Sequence, residues 1–290
     1  MSVKHPIIAV TGSSGAGTSI AKRAFEYMFK KDGIKAAIIE GDCFHRYDRA
    51  EMDMLSKDAE EKGENLTHFG PEGNLFDELE SLFQEYGEKG TGKRRYYIHD
   101  AKEASEHGMP TGSLTEWEAI EEDTDIMFYE GLHGGIVTDN VNVAQHVDLL
   151  IGETPIINLE WMQKINRDRS IRGYSKEDAT KLIMDRMYDY IHYITPQFSR
   201  TDINFQRVPT IDTSNPFEMR YIPTNAESFT VIHIRNLEKL DVNFRHLLEM
   251  LEGSTMSSPD TIVIPAGKKV FAMQLIITPY LRKLIAEKNA

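Results

Sequence analysis

The chain has 290 residues, with 33 Lys and Arg against 46 Asp and Glu, a formal net charge of −13, and 40% apolar types. That balance is ordinary for a folded protein and excludes a collagen-like or intrinsically disordered chain. The acidic surplus argues against a general nucleic-acid binder and against bulk attraction to anionic membrane, while leaving room for local basic pockets.

Cys43 is the only cysteine, so no intrachain disulfide can form and a reducing compartment is the simplest reading. The first apolar stretch, Ile7 to Val10, is too short for a signal peptide, and no run approaches the roughly 18 apolar residues of a membrane span. The chain therefore reads as cytoplasmic, with no membrane and no nucleic-acid partner.

Residues 6–11 (PIIAVT) form a continuous apolar run bounded by Pro and Gly, the pattern of a short buried strand. A small-residue loop leads into a predicted helix over Ser19 to Lys31, with Ile20, Ala24, Tyr27 and Met28 at helical spacing and Asp32-Gly33 as the stop. Ala36 to Glu40 predicts a second strand, completing a βαβ unit. Residues 48–90 are polar and helical in character, whereas 100–124 read as loop. Further strands are predicted at Asp125–Tyr129, Val147–Gly152 and Pro155–Leu159, then helices at Glu160–Arg172 and Lys176–Tyr193 separated by Gly173. Strands at Thr230–Ile234 and Thr261–Pro265 precede a terminal helix from about Phe271. With no internal repeat or long linker, the expected architecture is one α/β domain over residues 1–290, a sheet flanked by helices.

The loop Gly12-Ser13-Ser14-Gly15-Ala16-Gly17-Thr18-Ser19 matches the phosphate-loop pattern GxxxxGK[ST] at every fixed position except the lysine, where Thr18 stands. Such a loop turns consecutive backbone N–H groups toward an anion at a helix N-terminus, and Ser19 can place its hydroxyl on Mg²⁺. An ordinary glycine-rich turn is the alternative. The absent lysine asks for another cation at the transferring phosphoryl group. The stretch Lys164 to Gly173 supplies candidates: on a helix Lys164, Asp168 and Arg172 follow at i,i+4, with Arg167 one turn from Lys164. It also reads as a solvated helix held by two ion pairs.

Asp42 and Glu130 each follow a predicted buried strand. If those strands run parallel to the first, their carboxyl ends share the ligand-binding edge of the sheet with the loop. Glu130 then fits an acidic Mg²⁺ partner and Asp42 a base accepting a hydroxyl proton; each is otherwise a polar strand terminus. His45, Arg46 and Arg49 follow Asp42, and His45 and Arg49 would be i,i+4 neighbours on a helix, suited to a phosphorylated acceptor. Lys93 to His99 is a second basic and aromatic cluster, also readable as solvated surface. Cys43 lacks companions that would make it a nucleophile.

Four segments together resemble the short bacterial phosphoribulokinases: GSSGAGTS at 12–19, EGDCFHRYDR at 40–49, FYEGLHGG at 128–135 and KINRDRSIRGYSKE at 164–177. PQFSRTDINFQRVPTIDTSNPF at 196–217 extends the likeness over nearly the whole chain. In that family the loop also lacks the usual lysine. The resemblance implies a P-loop kinase fold like that of nucleoside monophosphate kinases, with a central mostly parallel, mixed sheet. It implies γ-phosphoryl transfer from MgATP to the 1-hydroxyl of ribulose 5-phosphate. It places the nucleotide on Gly12 to Ile20, Asp42 as base, Lys164 and Asp168 at the phosphoryl group, and Mg²⁺ near Ser19, Glu130 and Asp168. His45, Arg49, His99, Arg167 and Arg172 would hold the sugar phosphate. A closing lid around 164–177, a homo-octamer, and control by NADH and AMP are implied in the same way. The alternatives are a uridine kinase-like enzyme on the same scaffold or a non-catalytic nucleotide-binding protein. A GTPase switch would show DxxG and NKxD segments, and neither is found.

Overall fold

A computed structural model describes residues 4–13, 15–170, 173–218 and 221–289. Ser14 and Arg172 fall outside the described residues. In chain order the elements are β1 (Ile7–Gly12), α1 (Thr18–Asp32), β2 (Ala36–Glu40), α2 (Arg49–Glu61), α3 (Phe76–Lys89), β3 (Lys93–Arg94), α4 (Ala101–His107), β4 (Glu118–Ala119), β5 (Ile126–Gly131) and β6 (Leu149–Glu153). There follow α5 (Ile157–Ser170), α6 (Lys176–Asp185), α7 (Met187–Asp189), β7 (Ile203–Pro209), β8 (Ser228–Ile234), α8 (Leu237–Leu240), α9 (Phe244–Met250), β9 (Thr255–Ser258), β10 (Thr261–Pro265) and α10 (Lys269–Lys288).

Among the described residues, one sheet has the order β2-β5-β1-β6-β7-β8-β10-β9. The strands from β2 to β7 run parallel, and β8, β10 and β9 add an antiparallel flank. The mixed, mostly parallel sheet expected from the sequence is therefore present. The first strand reads as uninterrupted apolar because both its faces are covered. Ile8 and Val10 join Phe25, Phe128, Met273 and Ile277 in the core that α1 and α10 cover. Ile7 and Ala9 join Phe83, Tyr86 and Tyr129 in the core under α3.

Several expectations change. Pro155–Leu159 is not a strand: Ile157 opens α5, and Leu159 is the first residue of its buried face. A short apolar run is ambiguous between a strand and the start of a helix, and here the helical continuation won. The 100–124 loop contains α4, whose first turn is capped by Asp100 Oδ1 accepting from the Lys102 and Glu103 N–H groups at 2.8 and 3.0 Å. On α1 the buried stripe is Ala21, Ala24, Phe25, Met28 and Phe29, while Ile20 and Tyr27 point outward. β7, in mid-sheet, lacks a clear strand pattern in its sequence, because its apolar residues are interrupted by Asn204, Gln206 and Arg207.

Candidate active site

The parallel order brings the ends of β1, β2, β5 and β6 to one edge. Glu130 is the register partner of Val10 and of Glu40, and Glu153 is the partner of Gly12. The strand-end carboxylates and the loop 12–19 thus lie side by side, as a ligand site in an open α/β sheet requires.

Gly15 and Gly17 hold φ of +109° and +108°, a backbone that residues with a Cβ rarely adopt. They turn the chain into α1, whose first residues are Thr18 and Ser19. Ser13 is buried, Ala16 half-buried, and Ser19 and Ile20 exposed. The first turns of α5 pack against the loop: a Cβ at Gly15 would lie 3.6 Å from Glu160 O and 3.8 Å from Gln163 Cβ. Glu160 is buried and accepts a 2.8 Å hydrogen bond from the Tyr190 hydroxyl. A shallow cleft beside the loop is lined by Ala16, Thr154, Pro155, Ile156, Glu160 and Arg207.

Asp42 occupies a tight turn, Gly41–Phe44, immediately after β2. Its Oδ1 is 3.4 Å from His45 Nε2, and its Oδ2 is 3.8 Å from His99 Nε2. His99 Nε2 also lies 3.9 Å from Glu40 Oε2. Burial opposes charge on Asp42, but His45, His99 and His68 outweigh it and hold the carboxyl well below the usual carboxylate range. Asp42 is therefore ionised at neutral pH.

The predicted i,i+4 helical spacing of His45 and Arg49 does not occur, because the helix starts only at Arg49, capped by Asp48. Tyr97 unites them instead: its ring lies edge-on to His45 at 5.7 Å, and the Arg49 guanidinium sits 5.8 Å from its centroid. Arg95, read from sequence as part of a surface patch, is a brace. It donates to Cys43 O at 2.8 Å and His45 O at 2.5 Å while its guanidinium packs 4.7 Å over Trp117. Those bonds hold the turn that carries Asp42. Burial pushes the Cys43 thiol up to about 12, in keeping with a non-nucleophilic role.

Glu130 stands among Thr18, Asp42, Glu40 and Lys22; burial raises its carboxyl, Thr18 opposes that, and the neighbouring carboxylates add to it. Lys22 pairs with Glu40. This concentration of negative charge beside a phosphate loop fits a divalent cation shared with phosphate oxygens. Among the described residues no group of three or more His, Cys, Asp or Glu side chains is arranged to hold a metal by itself. Asp168, also expected near Mg²⁺, is fully buried on α5 and pairs with Lys164, with Arg167 Nε 3.4 Å from its Oδ1. Burial pushes Lys164 down to about 8, with Arg186 adding to the fall and Asp168 opposing it.

Three contributors carried no local signal. Asn74, from the loop before α3, is hydrogen-bonded to His45. Gln197 is fully buried and accepts from Thr11 Oγ1 and Gly135 N, both at 2.9 Å, while donating to Leu132 O and Tyr193 O at 2.9 and 2.7 Å. Arg186 adds positive charge near Lys164 and packs 5.4 Å over Phe69.

A family model described as Phosphoribulokinase / Uridine kinase family matches residues 7–214. A phosphoribulokinase of Nitrobacter vulgaris is 55% identical over 287 residues, covering 99% of this chain and 98% of that protein. The chromosomal phosphoribulokinase of Cupriavidus necator is 54% identical over 290 residues, covering 100% and 99%. A solved structure of phosphoribulokinase from Rhodobacter spheroides superposes with a TM-score of 0.91 at 47% identity, with all of both chains covered.

Proposed function

Because the chain belongs to the phosphoribulokinase and uridine kinase family, we propose that it transfers the γ-phosphoryl group of MgATP to the 1-hydroxyl of D-ribulose 5-phosphate, yielding ribulose 1,5-bisphosphate and ADP. The observation that carries this reading is the setting of Asp42: an ionised carboxylate at a strand end, faced by two imidazoles and neighboured through Tyr97 by Arg49. A neutral nucleoside acceptor has no use for a guanidinium beside two imidazoles. A sugar phosphate does.

In this mechanism the loop from Gly12 to Ser19 offers its N–H groups to the nucleotide phosphates, with Ile20 at its exit, and the cleft beside Ala16 takes the nucleoside end. Ser19 and Glu130, with Asp168 near them, would hold Mg²⁺, and the ion would supply positive charge against the transferring phosphoryl group. His45, His99, Arg49, Arg167 and Arg172 bind the 5-phosphate. Asp42 then accepts the hydroxyl proton as the oxygen attacks phosphorus. Lys164, steadied by Asp168, meets the charge on the phosphoryl oxygens. Closure of the segment around 164–177 excludes water and so limits hydrolysis of ATP.

The same reading makes residues 1–290 one catalytic domain of a cytoplasmic homo-octamer activated by NADH and inhibited by AMP. Light scattering and rates measured with each nucleotide test those features. A coupled ADP-release assay with MgATP tests the reaction, comparing ribulose 5-phosphate, uridine and pantothenate. Turnover with ribulose 5-phosphate is expected; turnover only with an unphosphorylated acceptor assigns the scaffold to a different kinase.

A further inference from the structure

Lys269 opens α10, and its Nζ pairs with the carboxylate of Glu153 at the end of β6. Glu153 is 0% exposed and Lys269 8%. The pair is packed against the phosphate loop at both ends. A Cβ at Gly12 would lie 2.9 Å from Glu153 Cβ, and one at Gly17 would lie 3.5 Å from Lys269 Nζ and 3.8 Å from Glu153 Oε2. Glu153 Oε1 is buried with no hydrogen-bond partner among the described residues. Neither residue belongs to a motif that marks the site in the sequence.

A carboxylate buried behind an anion-binding loop is electrostatically misplaced. In a water-excluded setting its charge acts strongly on the phosphates the loop must receive. Burial pushes the Glu153 carboxyl up to about 7, with Lys269 pulling it down and Glu130 adding to the rise. Thr18, standing where a phosphate loop usually has lysine, hydrogen-bonds Glu130 and brings no positive charge. Lys269 instead arrives from the far end of the chain, at the head of a helix that packs on α1.

We propose that Lys269 is a positioning residue for the nucleotide: by neutralising Glu153 beneath Gly12 and Gly17, and by tying α10 to the loop, it makes the loop receptive to a nucleoside polyphosphate. The proposal rests on the MgATP reading of the loop. It concerns nucleotide affinity and leaves the acceptor pocket around Asp42 untouched.

The test is a double-mutant cycle read by calorimetric binding of MgADP, with KM measured for both substrates. At alkaline pH, where Glu153 without its partner is ionised, Lys269→Met should weaken MgADP binding by about tenfold or more while moving KM for ribulose 5-phosphate by less than about threefold; at neutral pH the loss should be smaller, because the unpartnered carboxyl takes up a proton. Glu153→Gln combined with Lys269→Met should bring MgADP affinity back to within about threefold of the parent chain, because the misplaced charge is gone. Lys269→Arg, which keeps the charge, should bind like the parent. If Lys269→Met is unfolded by circular dichroism, the double variant and Lys269→Arg carry the comparison with the same expected affinities. A double variant as weak as Lys269→Met would place the ammonium on the nucleotide itself and overturn the neutralising role. Unchanged binding in Lys269→Met at alkaline pH would overturn it too. Tight MgADP binding without turnover of ribulose 5-phosphate would instead refute the acceptor assignment and leave this inference standing.

Discussion

His45 Nδ1 and Asn74 Oδ1 lie 3.0 Å apart in a buried hydrogen bond, and the direction of that bond is decided by the amide's other end. Asn74 Nδ2 donates to His68 O at 2.9 Å and to Gly70 O at 2.7 Å, so Oδ1 is left as the acceptor and His45 Nδ1 must carry the proton. The Nε2 edge of His45 is thereby turned to Asp42. Asn74 is 1% exposed and holds ring orientation without reaching substrate.

Asn74→Leu leaves His45 Nδ1 and two carbonyls without this partner. It should lower the unfolding free energy by about 2–3 kcal/mol in urea denaturation. KM for ribulose 5-phosphate should rise by about tenfold with MgADP affinity unchanged, since only the acceptor side is disturbed. Equal loss on both substrates would point to general collapse of the edge.

Asp42→Asn keeps the size of the side chain and removes its capacity to accept a proton. Turnover should fall by about 10²–10⁴-fold while MgADP binding, carried by the phosphate loop, is retained. Near-normal kcat would exclude Asp42 as the base.

The lysine ammonium is lost as pH rises through its pKa, and Lys164 is brought down to about 8. kcat/KM for MgATP, which reports the free enzyme, should therefore decline along a basic limb near pH 8. In Lys164→Arg the limb should vanish even if the plateau is lower, because a guanidinium stays charged throughout. A limb that persists with arginine at 164 belongs to another group.

Gln197 joins Thr11, just ahead of the phosphate loop, to the chain that follows β5 and to Tyr193. Gln197→Leu removes all four bonds inside the protein. A fall of about 2–4 kcal/mol in the unfolding free energy is expected from chemical denaturation. Gln197→Glu, which can accept but not donate, should recover less than half of that loss.

The chain's −13 charge argued against polyanion binding in bulk and left room for local cations, which the sequence concentrates at 45–49, 93–99 and 164–172. Contiguous signals were legible: the glycine pattern of the loop, the acid after each buried strand, and the Lys164–Asp168 spacing on α5. Each depends on backbone conformation over a few residues, which local sequence controls. The same short range explains the failure at Pro155–Leu159, where five residues do not separate a strand from a helix start.

What only the tertiary structure decided is partnership across the sheet and between distant elements. The strand order puts Glu130 between Glu40 and Val10 and sets Glu153 beside Gly12. Packing carries Lys269 to Gly17, Asn74 to His45, and Gln197 to Thr11. Such contacts follow from register and from which faces are buried together, and spacing along the chain encodes neither. The loop itself was written in twelve to nineteen; the charge beneath it became visible only when the last helix was folded against the first.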